Sequence, residues 1–154
     1  MSTLNESIEM LKAMIEHEKT ISLLYKAYAE KFPELKAFWT KLSKEEMEHA
    51  SWIKKLQKRV EDGSEQVFVD RFPLGAINFS INHLKHRIDE SQTPDLKIIK
   101  ALSVAVDVEL GLIEGKYFEV SVGDSDFTKS TLARLAKATQ EHLQYVRKMW
   151  QDNR

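Results

Sequence analysis

The chain has 154 residues, with 23 Lys and Arg against 24 Asp and Glu, and it has no cysteine. This length fits one domain with a sizeable core, so we expect a single domain over residues 1–154. The formal net charge of -1, without a basic block, argues against nucleic acid or an anionic membrane as a partner. Without cysteine, disulfides, zinc fingers and thiolate-held iron sites are excluded, so any metal must be held by Glu, Asp, His or water.

The N-terminal sequence MSTLNESIEM lacks the basic start and the continuous apolar run of a signal peptide. No apolar stretch approaches the roughly 20 residues that are needed to span a bilayer. We therefore expect a soluble cytoplasmic protein.

Apolar residues that recur every seven positions predict two long helices in the first half of the chain. Thr3 and Glu6 have the spacing of a capping box, and the stripe that follows predicts a helix over about 4–32. Pro33 ends that helix and suits the first turn of the next, which is predicted over about 34–61. The short connection makes the two helices antiparallel neighbours.

The pattern changes over residues 62–93, which we predict to be a crossover between two helix pairs. The segment contains a strand-like QVFV, a turn-prone FPLG and then a shorter helix. One face of that helix carries four apolar residues: Ile77, Ile81, Leu84 and Ile88. A helix of about 28 residues is roughly 42 Å long, so this segment can carry the chain back along the bundle.

Two more long helices are predicted in the second half. Thr93 is placed as the N-cap and Pro94 in the first turn of a helix over about 94–122. The sequence GDSD then ends that helix and caps the last one, over about 126–150. The predicted fold class is therefore all-α, a four-helix bundle of two antiparallel pairs joined by the crossover.

Six polar residues occupy apolar-stripe positions near the middles of the four long helices: Glu18, Glu46, His49, Glu109, Thr139 and His142. An unpaired charge is costly in a core, so each charged group must find a proton, an ion-pair partner or a metal. Antiparallel packing brings the helix middles together, and oxygen with imidazole ligands suits iron or manganese. We predict a metal site, although for Glu46 and His49 alone a satisfied polar pair or an exposed patch is the alternative.

Four segments resemble the rubrerythrin-like branch of the ferritin-like di-iron carboxylate family: EHEKTISLLY, EEMEHA, VELGLIEGKYFE and TQEHLQYV. The resemblance implies a ferritin-like bundle in which each half supplies a lone helix Glu and an E-x-x-H pair. The implied metal ligands are Glu18, Glu46, His49, Glu109 and His142. The second half departs from this pattern, because Thr139 stands where the family has a glutamate. Leu112 likewise stands where rubrerythrins often carry a further carboxylate.

Thr139 changes the charge of the implied centre. Glu18, Glu46 and Glu109 supply three negative charges, whereas two divalent ions carry four positive ones, which leaves one for hydroxide or another anion. Three arrangements stay open. In the first, the centre holds two iron ions. In the second, it has one strong and one weak metal position, and the Thr139 hydroxyl holds water or an oxygen species at the weak one. In the third, it holds a single ion on Glu18, Glu46 and His49. Manganese and zinc are alternative metals.

The resemblance implies a non-haem iron oxidoreductase that reduces hydrogen peroxide or dioxygen, a role in oxidative stress. Rubrerythrins proper append a cysteine-ligated rubredoxin module, so in a chain without cysteine the electron donor must be a separate protein. The alternative is a ferritin-like bundle that binds metal or another protein without redox turnover. We expect a homodimer, with neither nucleic acid nor a membrane as partner.

Other histidines and tyrosines lie near the implied ligands in the sequence. His17, His83 and His86 fall off the apolar stripes or in the crossover, so they are predicted to be solvated surface residues. Tyr25 and Tyr117 lie two turns beyond the lone glutamates, where the resemblance implies tyrosines close to the metals. Ordinary core aromatics are the alternative for both.

Overall fold

The computed structural model describes residues 4–67, 74–120 and 123–154, and every regular element in these ranges is helical. The elements are α1 (Leu4–Lys31), a 3-10 turn (Pro33–Leu35), α2 (Lys36–Glu61), α3 (Leu74–Glu90), α4 (Ile98–Glu114) and α5 (Asp126–Asn153). The prediction of an all-α helical bundle is confirmed. No helix in these ranges combines the length and the apolar character that a membrane span requires.

Helices α1 and α2 form an antiparallel pair around the turn at Pro33. The ring of Pro33 fixes its φ angle and suits the first position of the turn, so α2 begins at Lys36 after one 3-10 turn. Farther along, the pair is joined by two reciprocal hydrogen bonds. The Ser22 hydroxyl donates to the Ser43 carbonyl at 2.8 Å, and the Ser43 hydroxyl donates to the Ser22 carbonyl at 2.9 Å. Two small residues thus let the helices approach closely.

Helix α3 packs on α1, and α4 packs on α5. The apolar face predicted for α3 is buried at Ile77, Ile81 and Leu84. Gln66 and Val67, the first half of the strand-like QVFV, form no strand. The rest of QVFV, the FP of FPLG, Thr3 and residues 121–122 lie outside the described residues.

Helix α4 is shorter than the predicted 94–122 at both ends. Its N-cap is Lys97, whereas the Thr93 hydroxyl donates to the Glu90 carbonyl at 2.8 Å and so closes the end of α3. At the other end, Lys116 takes a left-handed φ of 57°. The amides of Lys116 and Tyr117 donate back to Ile113 and Leu112, which is a Schellman motif, and the helix stops.

Within the described ranges the buried apolar side chains form two clusters, on either side of a polar layer. One cluster includes Ile21, Leu24, Trp39, Leu42, Leu102 and Val146. The other includes Leu11, Ile15, Ile53, Leu56, Leu132 and Leu135. Burying one such side chain contributes about 1.5–3 kcal/mol, so the two clusters can hold the helices around a layer that is itself costly to bury.

Candidate metal centre

Five of the six polar residues singled out in the sequence lie next to one another in the layer between the two clusters, and Thr139 is buried one turn before His142 on α5. All six side chains are buried, with no more than 5% exposure. They come from four helices: Glu18 from α1, Glu46 and His49 from α2, Glu109 from α4, and Thr139 and His142 from α5. Each lies at a position where the helical period turns the side chain toward the core, which explains why charged groups are found here.

Glu46 lies between two histidines and presents one carboxylate oxygen to each. Its Oε1 is 2.9 Å from Nδ1 of His142, and its Oε2 is 3.4 Å from Nδ1 of His49. Ligand atoms of these three residues lie within 4.8 Å of one another, a spacing that could hold a metal ion. The E-x-x-H pair therefore meets the histidine of the other half of the chain, instead of forming a separate half-site.

Glu109 approaches the same histidine from α4. Its Oε1 is 3.5 Å from Nδ1 of His142, and its Oε2 accepts a hydrogen bond of 2.7 Å from the hydroxyl of Tyr25. Tyr25 is fully buried, so this hydrogen bond fixes one oxygen of Glu109 and leaves the other facing the layer. Tyr25 is thus a tyrosine at the site, as the resemblance implied.

Several carboxylate oxygens in the layer have no hydrogen-bond partner in the described part of the chain: both oxygens of Glu18, Oε2 of Glu46 and Oε1 of Glu109. Buried polar atoms are nearly always hydrogen bonded, and an unpaired one costs about 1–3 kcal/mol. The oxygens belong to three different helices and face one layer. They are the atoms that a bound cation would satisfy.

The protonation of the layer follows from its burial and its crowding of negative charge. Burial, then the charge of Glu46 and a polar contact with its carboxylate, and then the charge of Glu109 raise the pKa of Glu18 well above its usual value. Burial would also raise the pKa of Glu46, but polar contacts with Glu18, His142 and His49 outweigh it and lower that pKa. Burial would lower the pKa of His142, yet its contacts with Glu109 and Glu46 raise it to about 11. Without a metal, Glu18 and His142 therefore hold protons that a cation would displace.

Thr139 is buried in the same layer but is satisfied by its own helix. Its hydroxyl donates to the Leu135 carbonyl at 2.8 Å. A threonine carries no charge, so the position one turn before His142 supplies no anionic ligand. The three buried glutamates therefore carry one negative charge fewer than the four positive charges of two divalent ions, as inferred from the sequence.

Glu45 is a residue of the site that the sequence pattern missed. Its Oε1 lies 3.0 Å from Nε2 of His142, while its Oε2 lies 3.1 Å from Nζ of Lys41. The side chain is 35% exposed, at the rim of the site. It lies about 100° from Glu46 around α2, so the apolar stripe contains no signal for it; only its adjacency to Glu46 in EEMEHA could have pointed to it.

A cavity of about 330 Å³ leads from the surface to the two histidines. Its lining includes His49, His142, Trp52, Glu45 and Glu141. The acidic rim suits the entry of a cation, and the cavity is wide enough for peroxide or dioxygen. The site therefore has an entry path despite the burial of its ligands.

The prediction for His17 was wrong, because its side chain is only 4% exposed. Its Nε2 is 2.8 Å from the Ser80 hydroxyl of α3, and its ring lies 5.3 Å from the ring of Tyr117. Tyr117 thus lies beside His17, in the turn after α4, whereas Tyr25 is the tyrosine bonded to Glu109. His83 and His86 are exposed, as predicted.

Comparison with known families agrees with this geometry. Residues 9–105 match the family model named Rubrerythrin, and this range is more than half of the chain. The chain belongs to the rubrerythrin family. The matched range of this rubrerythrin contains Glu18, Glu46 and His49 but ends before Glu109 and His142. No curated protein and no solved structure gives a match.

The donor set of this rubrerythrin fits a divalent first-row metal. Carboxylate oxygens and imidazole nitrogens are ligands of iron, manganese and zinc, and hard cations favour the oxygens. Oxygens of Glu46 and Glu109 face histidine Nδ1 atoms, and the buried residues of the described chain include no lysine or arginine. Glu46, His49 and His142 are therefore a candidate metal site in a chain of a family that typically binds iron.

Proposed function

We propose that this chain is a rubrerythrin-type iron protein that reduces hydrogen peroxide or dioxygen. Glu18, Glu46, His49, Glu109 and His142 would hold one or two iron ions. The observation that carries the proposal is the set of buried carboxylate oxygens without hydrogen-bond partners in the described ranges. Three helices supply them: Glu46 faces Nδ1 of both His49 and His142, Glu109 faces Nδ1 of His142, and Glu18 lies next to Glu46.

Glu46 is placed to serve two metal positions. Because each of its oxygens faces a different histidine, Glu46 would help to hold an ion near His49, an ion near His142, or both. Glu18 and Glu109 approach from α1 and α4 and can each complete one position. With a single ion, Glu46 and the two histidines remain the shared set.

Bound iron would supply the change between the ferrous and ferric states that reduction of an oxidant requires. The chain's own part is to hold the ligands and to limit water. Tyr25 holds Glu109 through a hydrogen bond of 2.7 Å. The apolar clusters close the layer above and below, and the cavity at His49 and His142 admits a small oxidant. A separate protein supplies the electrons in this proposal, and a homodimer in the cytoplasm is the expected form.

Thr139 favours a second candidate, a bundle that binds metal without redox turnover. Its hydroxyl is engaged with the Leu135 carbonyl, and it brings no charge to the half of the site at His142. One occupied position would bind metal, yet it would lack the paired ion of a di-iron centre. The two candidates differ in metal stoichiometry and in their reaction with peroxide.

Anaerobic loading with Fe(II), followed by peroxide, separates the candidates. About two irons per chain and rapid oxidation support the enzyme, and about one iron with slow oxidation supports the metal-binding bundle. Absence of bound metal overturns both. The matched control is Glu48→Gln, since Glu48 lines the same cavity but is exposed and lies outside the polar layer; this variant should load and react like the wild type.

A further inference from the structure

Each ring nitrogen of His142 contacts a carboxylate of α2, and Nδ1 also lies near Glu109 of α4. Nδ1 faces the interior, 2.9 Å from Glu46 and 3.5 Å from Glu109. Nε2 faces the cavity, 3.0 Å from Oε1 of Glu45. The imidazole thus lies between two consecutive residues of α2, the buried Glu46 and Glu45 at the rim of the cavity.

We propose that Glu45 is the positioning residue of His142, accepting the Nε2–H so that Nδ1 is the atom offered to a metal. An imidazole that binds a metal through one nitrogen commonly donates the other N–H to a carboxylate, which fixes the tautomer and the ring orientation. This inference rests on the proposed metal centre. It assigns Nδ1 as the metal-binding atom of His142.

Glu45 also brings a fourth carboxylate close to the centre. The three buried glutamates carry one charge fewer than two divalent ions need, because position 139 is a threonine. Glu45 lies at Nε2, across the ring from Nδ1, so its charge acts on a cation at Nδ1 through the imidazole and is partly offset by Lys41, which contacts both of its oxygens. The fourth carboxylate of the centre therefore comes from α2, next to Glu46, and not from α5.

The orientation of Glu45 is itself fixed. Lys41, one turn earlier on α2, lies 3.1 Å from the other carboxylate oxygen, and its ammonium lies 4.6 Å from the centre of the Tyr145 ring. Glu48 and Glu141 line the same cavity, but in the described structure neither hydrogen bonds to His142. They are matched controls for charge and location.

The test uses zinc, which is diamagnetic and needs no turnover. We expect Glu45→Ala to weaken zinc binding to the full chain about 10- to 100-fold in competition with a chelating dye. Glu48→Ala and Glu141→Ala should bind like the wild type. Nitrogen-15 NMR of the zinc-loaded wild type should show His142 bound through Nδ1 with a protonated Nε2. In Glu45→Ala the Nε2–H signal should broaden through exchange with water, while Glu45→Gln, which can still accept that hydrogen bond, should retain the signal.

The possible results distinguish a failure of this inference from a failure of the proposed function. Wild-type binding through Nε2 of His142, or wild-type affinity and tautomer in Glu45→Ala, overturns the role of Glu45 and leaves the metal centre in place. Failure of the wild type to bind either zinc or iron overturns the proposed function and this inference together. Because Glu45 is partly exposed, its loss does not threaten folding; a far-UV circular dichroism melt of the metal-free variants verifies this.

Discussion

Replacing Glu18 with leucine is predicted to stabilise the metal-free protein and to reduce its metal affinity. Glu18 is 1% exposed, and neither carboxyl oxygen has a hydrogen-bond partner in the ranges described. Each unpaired buried polar atom costs about 1–3 kcal/mol. Leucine removes both oxygens, and part of the gain is lost because its branched shape must repack. We expect a net gain of about 2–4 kcal/mol in the free energy of unfolding.

The gain should increase with pH. A folded-state pKa above the unfolded value of 4.5 means that the contribution of Glu18 is fully present below pH 4.5 and is lost as the pH rises through the folded-state pKa. The wild type therefore loses stability over that range, and Glu18→Leu does not. Urea unfolding of the metal-free proteins, followed by circular dichroism at about pH 5 and pH 8, measures both effects.

The matched control is Glu16→Leu, on the exposed face of the same helix. Its free energy of unfolding should stay within about 0.5 kcal/mol of the wild type. Zinc should stabilise Glu18→Leu less than it stabilises the wild type and Glu16→Leu. A Glu18→Leu protein less stable than the wild type at both pH values would show that the metal-free fold satisfies this carboxyl group, and the reasoning would be wrong.

Three further predictions concern other residues around the layer. Tyr25→Phe removes the 2.7 Å hydrogen bond to Glu109 and should destabilise the metal-free protein by about 1–3 kcal/mol and weaken zinc binding; unchanged values in urea unfolding and a dye titration would contradict this. Burial lowers the pKa of His17 to about 4, so the free energy of unfolding should fall by about 3 kcal/mol as the pH drops from 6.5 to 4. In His17→Phe, urea unfolding at pH 7 and pH 4 should show most of this pH dependence lost. An equal pH dependence in both proteins would refute the prediction. Thr139→Glu restores the missing carboxylate and should raise the iron content per chain in elemental analysis, whereas an unchanged content would count against the placement of Thr139 at the site.

The long helices and the polar layer were accessible from the sequence because both depend on local periodicity. A buried stripe repeats every seven residues whatever it packs against, so α1, α2 and α5 were readable without knowledge of their neighbours. Charged residues on such a stripe must be buried, so Glu18 and Glu109 could be assigned to one predicted metal site before any contact between them was known. Membership of the rubrerythrin family and the all-α fold are confirmed; the metal ligands stay a prediction.

What the sequence did not reveal depends on tertiary contacts or on unusual backbone angles. His17 faces away from the stripe of α1, and it is buried because α3 brings Ser80 over it. Helix α4 ends early, at the C-cap Gly115, where Lys116 adopts a left-handed conformation; the apolar stripe that continues to Val120 outweighed this glycine in the prediction. Glu45 matters only through the position of His142, a residue almost a hundred positions away along the chain.

The most direct test of the central claim is a crystal structure of the Fe(II)-loaded protein with anomalous diffraction data at the iron absorption edge. The account predicts one or two iron peaks within bonding distance of Glu46, with Glu18, His49, Glu109 and His142 around them. Iron peaks elsewhere, or crystals of loaded protein without an iron peak in this layer, would contradict it.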